Sequence, residues 1–134
     1  MNTLRSNNYA QISYDKKHQL IQYDHPVQTF NTTPTEYLRE LKALIKHSQQ
    51  YKPKKGLGDL RDFQFIITSN QQEWIHEHLY PITQQTSFQK HAVLLSAEFM
   101  KQLSLKQVKN RHSKRGGETR YFTNEWEAKQ WLLA

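Results

Sequence analysis

The run Gly56-Leu57-Gly58-Asp59-Leu60-Arg61-Asp62-Phe63-Gln64-Phe65-Ile66-Ile67-Thr68-Ser69 constrains this chain more than any other stretch. It opens as a short strand, leaves that strand through three charges and closes on a serine able to start a helix. Glycine weakens a strand interior unless another group must approach the backbone closely. Gly56 and Gly58 therefore predict neighbours packed very tightly against them, or an irregular strand. In open α/β sheets the loops at the carboxyl ends of the strands meet ligands and partners, because they hold exposed groups on a rigid scaffold.

The flanking segments agree with such a sheet. Tyr9-Ala10-Gln11-Ile12-Ser13-Tyr14 alternates in period two, Asp15 to His18 supplies a turn, and Gln19 to Tyr23 resumes strand composition. Residues 1–7 are expected to be loosely ordered. Pro26 interrupts the pattern, leaving Val27 to Phe30 as either a short strand or an extended connection. Thr33, Pro34 and Glu36 then form a helix start, with Tyr37, Leu38, Leu41, Leu44 and Ile45 on one face and an end near Gln50.

After the central strand, Ser69 and Gln72 open a second helix with Trp74, Ile75, Leu79 and Ile82 inward and Pro81 as its kink or end. Lys90 to Leu95 ends in an apolar run typical of a buried parallel strand. Ser96 and Ser104 cap short helices, and Lys106 to Gly117 is basic, polar and glycine-ended, which places an exposed loop from about His112 to Glu118. Thr119 to Phe122 makes the last strand. Asn124 and Glu127 start a final helix that packs through Ala128, Trp131 and Leu132, so Trp131→Ala is expected to cost about 3 to 5 kcal/mol. The order predicts a single α/β domain with a mixed four- to five-stranded sheet, an N-terminal hairpin and about four helices.

Composition narrows the chemistry. The 134 residues fit one domain. The 19 Lys and Arg against 12 Asp and Glu give +7, which makes acidic partners conceivable, although a solvated basic surface is the simpler account. Cysteine is absent, which rules out disulfides and thiolate chemistry. No apolar run reaches the roughly 20 residues of a membrane span, and a cytoplasmic location is the default expectation.

Asp59, Arg61 and Asp62 read either as partner-binding charges or as a local pair that fixes the loop. Thr68 and Ser69 sit where helix N–H groups favour anions, but capping alone also accounts for them. His76 and His78 are two apart and face different sides of a helix, so no metal is expected there. Nothing in the spacing assembles a catalytic triad, and no cofactor motif is present. Lys106, Lys109, Arg111, Lys114 and Arg115 form the sharpest charge asymmetry. They lack the interleaved aromatics of a nucleic-acid platform and read first as a solvated face.

The element order, Gly58-Asp59-Leu60-Arg61, Gln72-Glu73-Trp74-Ile75 with Pro81, Ala92-Val93-Leu94, and Arg120-Tyr121-Phe122 with Glu127-Ala128-Lys129-Gln130-Trp131-Leu132 together resemble STAS-type proteins. The bacterial branch similar to the anti-sigma-factor antagonist SpoIIAA is the nearest in pattern, from about Tyr9 onward. The resemblance implies a mixed sheet with helices against it and a non-enzymatic regulatory or protein-interaction module acting at 59–69. In such antagonists an aspartate ends the central strand, as Asp59 does, and a serine at the next helix start accepts a phosphate. Thr68 or Ser69 falls at that place, although Ile67-Thr68-Ser69-Asn70 replaces the family's Asp-Ser-x-Gly run. STAS and CRAL-TRIO-like relatives also suggest a carrier or sensor of a small amphiphilic or anionic ligand, lipid or nucleotide. Nucleic-acid binding through 106–115 is a third reading.

Overall fold

The computed structural model describes residues 2–7, 10–24, 34–61, 87–98, 100–101, 111–112 and 117–134, without the side chains of Pro34, Tyr37, Leu38, Leu41, Arg111 and His112. The strands are Asn2–Ser6 (β1), Gln11–Asp15 (β2), Leu20–Asp24 (β3), Lys55–Asp59 (β4), Lys90–Leu94 (β5), Arg111–His112 (β6) and Glu118–Phe122 (β7). They form one sheet in the order β1-β2-β3-β4-β5-β7-β6. The pairs β1–β2, β2–β3 and β6–β7 are antiparallel, while β3, β4, β5 and β7 run parallel. The helices are Pro34–Tyr51 (α1) and Glu125–Leu133 (α2).

Side-chain alternation divides the core between the two faces of the sheet. Ile12, Tyr14, Ile21 and Tyr23 join Phe88 and α1's Leu44 on one face, with Leu4 and Ala43 packed against them. Leu20, Leu57, Ala92 and Leu94 join α2's Ala128 and Leu132 on the other, with Phe122 and Trp131 beside them. The mixed α/β class expected from the sequence is therefore present, with α1 on one face and α2 on the other.

Why β4 carries two glycines is visible in the first of these layers. A side chain at Gly56 would overlap the Phe88 ring, and one at Gly58 would overlap the ring of Tyr23. The close packing expected at these positions is found, on a regular strand paired along both edges. Between those two aromatic rings lies His91, buried, its Nε2 2.7 Å from the Tyr23 hydroxyl and its ring centroid 5.1 Å from that of Phe88.

The expected sheet of four to five strands is exceeded. Residues 2–6, expected to be loose, form the edge strand β1, because α1 holds them down. Arg5 donates through Nε and Nη2 to the two oxygens of Glu40 at 2.8 and 3.0 Å, and Asn7 Nδ2 adds a third bond at 3.0 Å. Glu40 is buried, so this charged clamp compensates its desolvation. A register shift between Thr3 and Arg5 breaks the strand's regularity, as protected sheet edges commonly do. The short β6, at the start of the segment expected to be an exposed loop, adds the seventh strand, and β7 begins at Glu118, where that loop was expected to end.

The helices agree with their sequence signals where described. Pro34 begins α1, and Asn124 Oδ1 accepts the Glu127 N–H at 3.1 Å at the start of α2. Alpha1 ends on Lys52, at φ 50°, whose N–H reaches the Ser48 carbonyl at 2.8 Å; this is a left-handed helix stop. The Val27–Phe30 segment, the Ser69 helix and the Ser104 helix lie outside the described residues, while the helix expected after Ser96 is described in part, with Met100 N–H on the Ser96 carbonyl at 2.9 Å.

Candidate functional site

The carboxyl ends of β3 and β4 lie side by side, and register alone sets Asp24 opposite Asp59. Backbone bonds continue past the strand ends, from Leu60 N–H to the Leu94 carbonyl at 2.9 Å and from Leu95 N–H to the Phe122 carbonyl at 2.8 Å. The residues that leave this edge therefore start from a fixed frame.

Asp59 uses that frame to hold Arg61. Its Oδ1 accepts from the Arg61 backbone N–H at 3.1 Å and from Nε at 3.0 Å, and its Oδ2 accepts from Nη2 at 2.7 Å. The first bond is the i to i+2 bond of an Asx turn, and the other two present the guanidinium in a two-point grip. Arg61 Nη2 also lies 3.8 Å from Glu125 Oε2, at the first residue of α2, and Glu125 Oε1 is 3.3 Å from Lys129 Nζ. Three elements distant in sequence, the end of β3, the exit of β4 and the start of α2, thus meet at one edge.

The edge is electrostatically crowded. Burial holds the carboxyl of Asp24 above its ordinary range; the Gln22 amide, 3.3 Å away, and Arg61 act against that, while the charges of Asp59 and Glu125 add to it. Arg61 is exposed and both Asp59 and Glu125 are partly so, hence each pair is screened by water and contributes little to stability. What the arrangement does is orient: one guanidinium is held by acids on two sides and presented at the surface.

Of the residues picked out from the sequence, Asp59 and Arg61 are brought together as a bonded pair. Asp62, Thr68 and Ser69 lie outside the described residues, as do Lys106, Lys109, Lys114 and Arg115. Arg111 belongs to β6, opposite Thr119, at the far end of the sheet from β1. Asp24 and Glu125 were missed, since nothing near them in sequence marks them; the parallel pairing that aligns residue 24 with residue 59 is the signal that finds the first. Among the described residues no three His, Asp or Glu side chains are grouped as a metal would need, and no helix is long and apolar enough to cross a membrane.

These features define a mixed α/β protein with a charged strand-exit edge. No family model, curated protein or solved structure matches the chain.

Proposed function

We propose that the chain is a non-enzymatic, STAS-like regulatory module that binds a protein partner through the edge formed by the exits of β3 and β4 and the start of α2. The observation that carries this reading is Arg61, fixed by Asp59 and flanked by Glu125 on a rigid strand exit. A preorganised, exposed arginine is the kind of group that anchors protein interfaces. Two further features support it. Beta3, β4, β5 and β7 follow one another across the sheet in chain order, so the described parallel strands contain no reversal of order of the kind that opens a ligand crevice in doubly wound sheets. The space over β4's glycines is filled by the Tyr23 and Phe88 rings, which supports a site at the edge over one at these positions in the interior.

In the STAS-like reading, Asp59 is the strand-end aspartate and Thr68 or Ser69 the hydroxyl that a partner kinase would modify. Carriage of a small amphiphilic or anionic ligand and nucleic-acid binding through Lys106 to Arg115 remain separate proposals without a described feature of their own.

The test is retention of a native partner on immobilised protein, with released proteins and small molecules both identified by mass spectrometry. Asp59→Ala and Arg61→Ala should each lower retention of the same protein about tenfold or more while leaving the melting temperature nearly unchanged, because exposed charges govern interfaces more than folds. Retention by both variants equal to that of the parent would refute the reading.

A further inference from the structure

The amino ends of the parallel strands form the edge of the sheet opposite to Asp59. Register sets Leu20, Lys55, Lys90 and Glu118 side by side across β3, β4, β5 and β7. Backbone bonds lock the residues before these strands to one another. The Gln19 carbonyl accepts from the N–H groups of Lys54 and Lys55 at 3.0 and 3.1 Å, the Lys54 carbonyl accepts from Gln89 N–H at 2.7 Å, and the Gln89 carbonyl accepts from Glu118 N–H at 3.0 Å. In the turn between β2 and β3, Asp15 Oδ1 accepts from the N–H groups of Lys17 and His18 at 3.1 and 3.4 Å. The edge is therefore a tied frame, and it carries Lys16, Lys17, Lys52, Lys54, Lys55 and Lys90.

Sequence keeps acids away from it. Asp and Glu are absent from residues 16–23, 41–58, 78–97 and 99–117, the stretches that contain the starts of β3, β4 and β5 and lead into β7. The two acids at the border already have basic neighbours: Asp15 Oδ2 lies 2.7 Å from His18 Nδ1, and Glu118 Oε1 accepts from Arg120 Nε at 3.1 Å. Two of the lysines have structural reasons to be there. Lys90 Nζ donates to the Trp131 carbonyl at 2.8 Å, and Lys52 follows the negative end of α1. Lys16, Lys17, Lys54 and Lys55 form no ion pair among the described residues, and the first three are exposed. Lys55 stands directly beside Lys90, and like charges placed side by side on a sheet are destabilising. The fold thus holds four cations together without using them itself.

We propose that this edge binds the phosphate backbone of double-stranded nucleic acid through Lys16, Lys17, Lys54 and Lys55, without reading the bases. The chemistry narrows the occupant. Cations at the starts of adjacent strands follow a line with a spacing of about 4.8 Å, and a duplex offers its phosphates in rows, with one charge per about 1.7 Å of axis. Lysine is a point charge, without the planar fork that grips a carboxylate at two points or reads a guanine edge. Single strands are held largely by stacking on aromatic rings, and the rings near this edge are engaged: Tyr51 lies 5.0 Å from Tyr14 between centroids, and Trp131 lies beneath Lys90 and Arg120. This surface is separate from the partner site, because Asp59 closes the opposite end of β4.

The test titrates a labelled mixed-sequence DNA duplex and, separately, phosphatidylserine vesicles into the intact protein at low salt, followed by fluorescence anisotropy and by co-sedimentation. The duplex should bind, and four phosphate contacts should make that binding fall roughly a hundredfold between about 50 and 200 mM salt. Lys16→Gln/Lys17→Gln/Lys54→Gln/Lys55→Gln should lower the affinity by about tenfold or more and flatten the salt dependence, with the melting temperature kept. Arg39→Gln/Lys42→Gln/Lys46→Gln/Lys101→Gln removes the same charge from exposed positions elsewhere. It should bind within about threefold of the parent, since screened distant charges add little. A duplex of different sequence should bind equally well. No duplex binding at low salt, equal losses in the two quadruple variants, or binding of vesicles without binding of the duplex overturns the inference. Arg61→Ala should bind the duplex as the parent does, so that failure of the partner site and failure of this surface are read apart.

Discussion

Stability should fall as the pH is lowered through the weakly acidic range, and His91 should be the main cause. The ring is buried between Tyr23 and Phe88, with Nε2 bonded to the Tyr23 hydroxyl and Nδ1 without a partner. Burial disfavours the imidazolium and pushes the His91 pKa down to about 4 from 6.5. The unfolded chain, with an ordinary imidazole, therefore binds a proton that the folded chain refuses between those two values. The folded state has its full stability above pH 6.5 and loses it progressively as the pH falls toward 4. One proton with that difference in affinity gives a loss on the order of 1 kcal/mol at pH 5.5, growing to roughly 2 to 3 kcal/mol by pH 4.5. His47, also shifted down by burial, adds in the same direction, whereas Asp24, shifted up, opposes it; Asp15, shifted down through its bond to His18, acts only below the ordinary aspartate range. A variant separates these contributions. His91→Leu keeps the volume and removes the titration, so its urea unfolding free energy should vary much less than the parent's between pH 7.5 and 4.5, whatever its absolute stability. The slope is the observable. If parent and His91→Leu lose stability in parallel over that range, the buried neutral imidazole is not what the acid acts on.

Other perturbations follow from the packing. Gly58→Ala should destabilise by about 2 kcal/mol or more, since the methyl overlaps the Tyr23 ring that carries the bond to His91, and overpacking of this kind typically costs 1 to 3 kcal/mol; thermal unfolding checks it. Trp131→Ala should cost about 2 kcal/mol rather than the 3 to 5 expected from sequence, because the ring is only partly buried, stacked 5.8 Å from Phe122 with Lys90 and Arg120 over it. Arg5→Ala should cost about 2 kcal/mol, since it leaves the buried Glu40 carboxylate with fewer donors, and hydrogen exchange should show β1 opening first.

The fold was legible where local rules and global packing ask for the same residue. Alternation in Ile12 to Tyr14 and Leu20 to Tyr23, the apolar run at 92–95 and the Asn124 cap all carry their own period or chemistry. Gly56 and Gly58 told of close neighbours without telling which ones, because Phe88 lies 32 residues from Gly56 and Tyr23 35 residues from Gly58 in the chain. Beta1 was missed for a related reason. Asn2-Thr3-Leu4-Arg5-Ser6 has almost no apolar content, and what keeps it in the sheet is a carboxylate on α1 that no local pattern connects to it.

The site divides along the same line. Asp59 and Arg61 are two residues apart, and a turn in which an aspartate bonds forward to the residue two on is a local motif, so their pairing could be anticipated from the strand exit. Asp24 closed a strand with no charge pattern to distinguish it, and Glu125 looked like an ordinary acid in the first turn of a helix, favourable there for the helix dipole alone. Their meeting depends on parallel register and on the return of the final helix, two global facts.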